Sequence, residues 1–217
     1  MKKLIILLLV FSLLSLTSCG LLKKVGLVSD VAADICEIAN NSNPTKVTTE
    51  VSFTTNQGDS LSGYYVTTTD GTTTIFDYYY EKLATPEESL QLGNSDRIIK
   101  SEGSVTYKDG AYYDAAGDAW KPGTGTAYDL RFNIDQDLLK DVVVSEDGYS
   151  FEAKVSPEDL VSIIGTNLNA TGDATLTVET NGTNLTIVTV SCTTANGSLT
   201  VRTSYTYNKH NLSETEG

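Results

Sequence analysis

The sequence predicts an α+β chain that is mostly β: a curved antiparallel sheet with an N-terminal helix and a few short helices on one face. Three observations predict it. From Val47 onward, apolar and polar residues alternate with period two in runs rich in Thr, Tyr and Val. Branched and aromatic side chains of this kind fit a pleated, half-buried surface. Pairs such as Asp70-Gly71, Asp109-Gly110, Asn181-Gly182 and Asn196-Gly197 recur at hairpin spacing, and Gly accepts the positive φ that a tight hairpin turn needs. Strands do not alternate with helices, which argues against a two-lobed α/β solute-binding architecture.

In chain order, Val28, Val31, Ile35 and Ile38 recur at three and four residues and predict an amphipathic helix, widened by Ala32, Cys36 and Ala39. Ser29 or Asp30 is its expected N-cap, and the turn-formers Asn40 to Pro44 end it. Its polar side is acidic (Asp34, Glu37), so packing on the domain is favoured over lying on a membrane. Val47 to Thr55 is the first strand, with Val51 and Phe53 on one face. Leu61 to Thr69 and Thr72 to Tyr80 form a hairpin. Thr85-Pro86-Glu87-Glu88 reads as a capping box opening a short helix to Leu92. Ile98 to Tyr107 and Ala111 to Trp120 form a second hairpin, and Asp135 caps a single turn. Val142 to Ser145 and Tyr149 to Val155 form a third. Tyr149, Phe151, Ala153 and Val155 face one way and Ser150, Glu152 and Lys154 the other. Ser156-Pro157-Glu158-Asp159 starts a helix with a cap, a first-turn proline and two acids at the positive end of its dipole. Ala174 to Thr180, Leu185 to Thr193 and Leu199 to Tyr207 close the domain, for nine or ten strands in all.

The N-terminus carries an export signal: Lys2 and Lys3, then an apolar run from Leu4 to Leu16, then small residues. The run is short for a membrane span, which takes roughly 20 apolar residues. Leu16-Thr17-Ser18-Cys19 resembles the lipobox of bacterial lipoproteins. The resemblance implies that the Cys19 thiol receives a diacylglyceryl group, that the chain is cut before it, and that Cys19 becomes the first mature residue. It also implies attachment to the outer side of the cell membrane. Gly20 after the cysteine would allow outer-membrane delivery in a cell with two membranes. The expected layout is a signal peptide over 1–18, an anchor, tether and helix over 19–43, the β domain over 44–208 and a polar tail over 209–217.

The full chain has a formal charge of −13. Removal of 1–18 leaves 13 basic and 28 acidic residues, a net −15. Such a chain repels nucleic acid, because phosphate binding needs clustered Lys and Arg. Cys36 and Cys192 remain after lipidation, and an exported compartment leaves open either a disulfide between them or two buried thiols. The spaced acids Asp109, Asp114 and Asp118, and Asp135, Asp137 and Asp141, do not match a calcium loop. No residue set calls for a metal or a cofactor. Gly58-Asp59-Ser60-Leu61 spells the signature of the GDSL esterases. In that family the block leads from a strand into a helix, and an Asp stands three residues before the His. Here Tyr207 takes that place before His210, and a nucleophile without a base is not a triad. The expectation is therefore a non-enzymatic protein.

Twelve tyrosines lie in or beside predicted strands, several as adjacent pairs that place rings on both sides of a sheet. The order of elements (helix, hairpins, a Ser156-capped helix, three final strands) resembles the LolA/LppX-like lipoproteins. That resemblance implies a half-open barrel whose concave face, lidded by helices, holds acyl chains. Val161 and Ile164 would then belong to a lid, and Tyr149, Phe151, Leu176, Val178 and Val201 would line the concavity. Two functions follow: binding of a lipid or other apolar or amphiphilic ligand at the membrane surface, or interaction with an envelope protein through an exposed aromatic surface over a filled core.

Overall fold

The computed structural model describes residues 28–86, 88, 98–120 and 132–207. The lipobox with Cys19, most of the helix expected from Thr85 to Leu92, Tyr128 and His210 lie outside the described residues. Helix α1 covers 28–41. The strands are β1 (Lys46–Thr55), β2 (Ser60–Thr69), β3 (Thr73–Leu83), β4 (Ile98–Lys108), β5 (Ala111–Asp114), β6 (Ala119–Trp120), β7 (Lys140–Val144), β8 (Ser150–Val155), β9 (Ala174–Thr180), β10 (Leu185–Thr194) and β11 (Gly197–Thr206). A 3-10 turn, Gln136–Leu138, precedes β7, and helix α2 (Pro157–Ile164) joins β8 to β9.

All eleven strands form one open, curved antiparallel sheet in the order β6-β5-β4-β3-β2-β1-β11-β10-β9-β8-β7. The chain starts at the centre and steps outward through β6. It then crosses to the far edge and steps back from β7, so its last strand pairs with its first over ten residue pairs, from Lys46 opposite Thr206 to Thr55 opposite Gly197. The count exceeds the expected nine or ten because Ala111–Trp120 is not one strand. Asp114 Oδ1 accepts the amides of Ala116 and Asp118 and folds the chain back to make β6.

Turn chemistry fixes the registers. Asp109 and Gly110, at φ 53° and 79°, form the two-residue loop between Lys108 and Ala111. Asp70 Oδ1 accepts the amides of Thr72 and Thr73, and Asn181 Oδ1 those of Thr183 and Asn184. The capping box is reciprocal: the Thr85 amide donates to Glu88 Oε2 at 2.9 Å and the Glu88 amide to Thr85 Oγ1 at 3.3 Å. Ser156 caps α2 by accepting the Asp159 amide, and Gly165 ends it at φ 71°. Asp135 caps the 3-10 turn as expected. Neither Ser29 nor Asp30 caps α1, because Val28 is already helical. Ser29 instead receives Gln136 Nε2 on both its carbonyl and its hydroxyl.

The core lies over only half of the sheet. Phe151, Ala153 and Val155 of β8, Ala174, Leu176 and Val178 of β9, and Val188, Val190 and Cys192 of β10 are buried against Ala32, Ile35, Cys36 and Ala39 of α1 and Leu160, Ile163 and Ile164 of α2. The face they share is termed the inner face. Asn40 ties α1 down by exchanging two hydrogen bonds with the Ile134 backbone, at 2.8 and 2.9 Å. Ser42 Oγ accepts the Leu185 amide at 2.8 Å. At one end of the β1–β11 pairing, Gly197 lies against the Thr54 carbonyl so closely that a Cβ would collide with it. Gly197→Ala is therefore expected to strain the β1–β11 pairing and to lower stability by about 1–3 kcal/mol. Ser156→Ala, which removes only a cap, costs about 1 kcal/mol. Urea melts of both variants test the ranking, which an equal or smaller loss at Gly197 would overturn.

Candidate functional site: the tyrosine-bearing half of the sheet

The residues expected to line a ligand cavity fall into two groups. Phe151, Ile164, Leu176 and Val178 are at most 3% exposed and belong to the core cluster, and Val201 on β11 is buried outside that cluster. Among the described residues the first four pack into the apolar cluster between the sheet and the two helices. Tyr149 and Val161 point the other way, at 51% and 38% exposure. Tyr149 precedes β8, where the loop turns its ring onto Gly182. Val161 takes the outer side of α2, since Leu160, Ile163 and Ile164 occupy the buried stripe.

Other candidate residues serve local structure. Cys36 and Cys192 are buried and unpaired, the second of the two alternatives that the sequence left open. Each belongs to the same apolar cluster and acts there as a small core side chain. Burial, with the Asp135 carboxylate adding to it, pushes the Cys36 thiol up to about 11, and burial raises Cys192 too. Gly58-Asp59-Ser60 is a tight turn. Thr55 Oγ1 accepts the Asp59 amide, Gly58 sits at φ 90°, and Ser60 opens strand β2, not a helix. Asp114 and Asp135 accept turn amides, and Asp109 occupies a turn at positive φ.

The tyrosines give the other half of the sheet its character. The register places Phe151, Val178, Val188, Thr203, Thr49, Tyr65, Tyr78 and Gly103 in one row across the inner face, from β8 to β4. The row is apolar through β8–β10. It passes through a buried hydroxyl pair, Thr49 Oγ1 to Thr203 Oγ1 at 3.0 Å, and then becomes aromatic. The Tyr78 ring lies on Gly103, where a Cβ would meet its hydroxyl at 2.5 Å. Tyr78 stacks on Tyr80 at 6.3 Å, Tyr107 meets Tyr112 at 4.8 Å, and Phe76 meets Tyr112 at 6.4 Å. Val47, Val51, Phe53 and Leu61 continue this face on β1 and β2, half-buried. Among the described residues, no apolar side chain of β1–β6 packs against the core cluster. Tyr80 and Tyr107 stay exposed. Sequence alternation revealed that rings occupy both faces; which part of the sheet the described helices cover had no signal in the sequence.

The outer face of the same strands is polar and locked. Tyr64 stacks on Tyr79 at 5.6 Å and 17°. Tyr79 donates its hydroxyl to Glu81 Oε1 at 2.7 Å, while Glu81 Oε2 accepts both the amide and the hydroxyl of Ser62 at 2.9 Å. These bonds, the Tyr79 hydroxyl first, hold the Glu81 carboxyl down at about 2. The same bond raises the Tyr79 phenol. No protein-family model matches the chain, and comparison with curated proteins gives no match.

Two outcomes follow. Cys36 and Cys192 should resist alkylation in the native protein and both react without reductant once it is unfolded; absence of labelling in denaturant would mean a disulfide. The Glu81 carboxylate stabilises the fold fully above its ordinary value near 4.5, and the effect fades as pH falls toward 2. The gap in urea midpoint between wild type and Glu81→Gln should therefore be constant at pH 6–8 and close below pH 4. A gap that does not change with pH would show that the bonds to Tyr79 and Ser62 do not discriminate the ionised form.

Proposed function

We propose that the protein is a membrane-anchored bacterial lipoprotein, non-enzymatic, that holds an apolar or amphiphilic ligand against the inner face of β1–β5. One observation carries this reading. The inner face runs on from the core as an aromatic and apolar surface, and, Val105 and Thr49 apart, its described side chains in this half are half-buried or exposed and lie outside the core cluster. Tyrosines suit such a role, since each offers an apolar ring with a polar tip for the wet end of an amphiphile. The binding region thus moves from the space under α2, which side chains fill, to the half of the sheet beyond the β1–β11 seam. The LolA/LppX-like reading draws support from the open antiparallel sheet with α1 and α2 on one face. The lipobox at Cys19 would keep the domain at the membrane, where acyl chains are found.

The test uses the mature chain with Cys19→Ser, so that no lipid is covalently attached. Native mass spectrometry after purification from a lipid-containing host should show adducts of lipid mass, and a fluorescent fatty acid should bind. Tyr80→Glu combined with Tyr107→Glu, both at exposed ring positions, should weaken the probe at least about tenfold, or ~1.4 kcal/mol, without lowering the melting temperature. A bare protein that ignores the probe would sink the ligand reading and leave the interaction reading in its place.

A further inference from the structure

We propose that Asn196 is a site of spontaneous covalent modification, deamidated by attack of the Gly197 amide nitrogen at the end of the β1–β11 seam. Five described turns place an acid or an amide before a glycine: Asp70-Gly71, Asp109-Gly110, Asp147-Gly148, Asn181-Gly182 and Asn196-Gly197. In such a pair the next backbone nitrogen can close a five-membered ring on the side-chain carbonyl carbon. Glycine has no Cβ to hinder that approach, and the two groups are held in one chain.

The fold sorts the five pairs. Asp70 Oδ1 accepts the amide and hydroxyl of Thr72, both at 2.9 Å, and the Thr73 amide at 2.8 Å. Asp147 Oδ1 accepts the Ser145 hydroxyl at 2.6 Å and the Tyr149 amide at 3.0 Å. Asn181 Oδ1 accepts the Thr183 amide and hydroxyl at 3.1 and 3.0 Å and the Asn184 amide at 2.8 Å. These bonds hold each side chain over its own turn and oppose the rotation that ring closure requires. Asp109 and Asn196 make no side-chain hydrogen bond among the described residues. Of these two, only Asn196 carries an amide, whose nitrogen can leave as ammonia. The Asn196 side chain is exposed, while Gly197 is buried. Gly197 is also the last residue paired with Thr55 on β1 and with Thr194 on β10. Ladder ends open at lower cost than ladder middles, so fraying of this one turn frees the nitrogen without global unfolding.

The step balances with water as the only co-reactant. The Gly197 nitrogen bonds to Asn196 Cγ, the Cγ–Nδ2 bond breaks, and ammonia departs with the proton of the Gly197 amide. Water then opens the cyclic imide at either carbonyl. One route leaves aspartate at position 196 with the backbone unchanged. The other leaves isoaspartate, which carries the main chain through Cβ and Cγ and lengthens it by one atom. That extra atom falls where the seam is tightest. The Asn196 carbonyl accepts the Asn56 amide at 2.9 Å, Asn56 Nδ2 donates to the Ala195 carbonyl at 3.0 Å, and Gly197 is seated on Thr54. Isoaspartate shifts the first two contacts relative to the third and loosens this end of the seam, whereas aspartate leaves it in place.

The experiment incubates the Cys19→Ser mature chain at mildly alkaline pH, folded and in urea, and follows both Asn-Gly pairs by peptide mapping with mass spectrometry. Isoaspartate is identified by enzymatic methylation. In urea Asn181 and Asn196 should convert at rates within about twofold of each other, since the local chemistry is the same. In the folded chain Asn196 should convert at least about tenfold faster than Asn181. The isoaspartyl species, isolated by anion exchange, should unfold at lower urea than the Asn196→Asp variant, which carries the same charge on a normal backbone. Native conversion of Asn181 as fast as Asn196 would overturn the proposal. So would conversion of both in urea and of neither in the folded chain. An isoaspartyl form as stable as Asn196→Asp would overturn its effect on the seam.

Discussion

The pairing of β1 with β11 is the constraint on which the rest of the structure depends. Each half of the sheet is a local ladder, built from neighbouring strands and short turns. Among the described strands this seam joins the halves, and it does so through residues such as Thr49 and Thr203, 154 positions apart. Closing so long a loop costs chain entropy before any contact compensates. The compensation is ten consecutive residue pairs, a buried hydroxyl pair at the middle, and the tight seat of Gly197 on Thr54. The seam also aligns the inner faces of the two halves, so one continuous surface results.

That surface changes chemistry where it crosses the seam. Aliphatic residues on β8–β10 are matched by the apolar stripes of α1 and α2, and the two fill one another's spaces as a core does. Tyr65, Phe76, Tyr78, Tyr107 and Tyr112 on the other side are larger, and all but Phe76 carry polar tips; Tyr107 meets Tyr112 and Phe76 meets Tyr112 between strands, while Tyr78 stacks on Tyr80 within one. One half therefore supplies stability. The other half carries tyrosines that lie outside the core cluster.

The outer face follows a different logic. Its order comes from directional bonds, with Glu81 as the hub that receives Ser62 and Tyr79, and not from burial. Such a network keeps exposed rings in fixed positions without covering them. The open edges of the sheet are managed locally. β6 is two residues long, and β7 is broken by an irregularity between Lys140 and Val143, with Asp141 at φ 51°. Both limit pairing with another chain's strand.

The sequence by itself determined the elements of this protein. Period-two alternation, the Asp-Gly and Asn-Gly turns, and the Ser156 and Thr85 capping signals are local, and local chemistry decides them whatever the rest of the chain does. It also marked Phe151, Leu176, Val178 and Ile164 as inward-facing, and all four are buried in the core cluster. Inward-facing and cavity-lining residues share one pattern; only the volume supplied by α1 and α2 distinguishes a full space from an empty one. The turn that splits Ala111–Trp120 and the outward swing of Tyr149 escaped the same reading, since alternation continues through both. Tertiary structure alone decided the β1–β11 seam, which half of the sheet the helices cover, and the rows that gather Tyr64, Tyr79 and Glu102. These depend on register between strands far apart in the chain, and alternation within one strand carries no record of its partner.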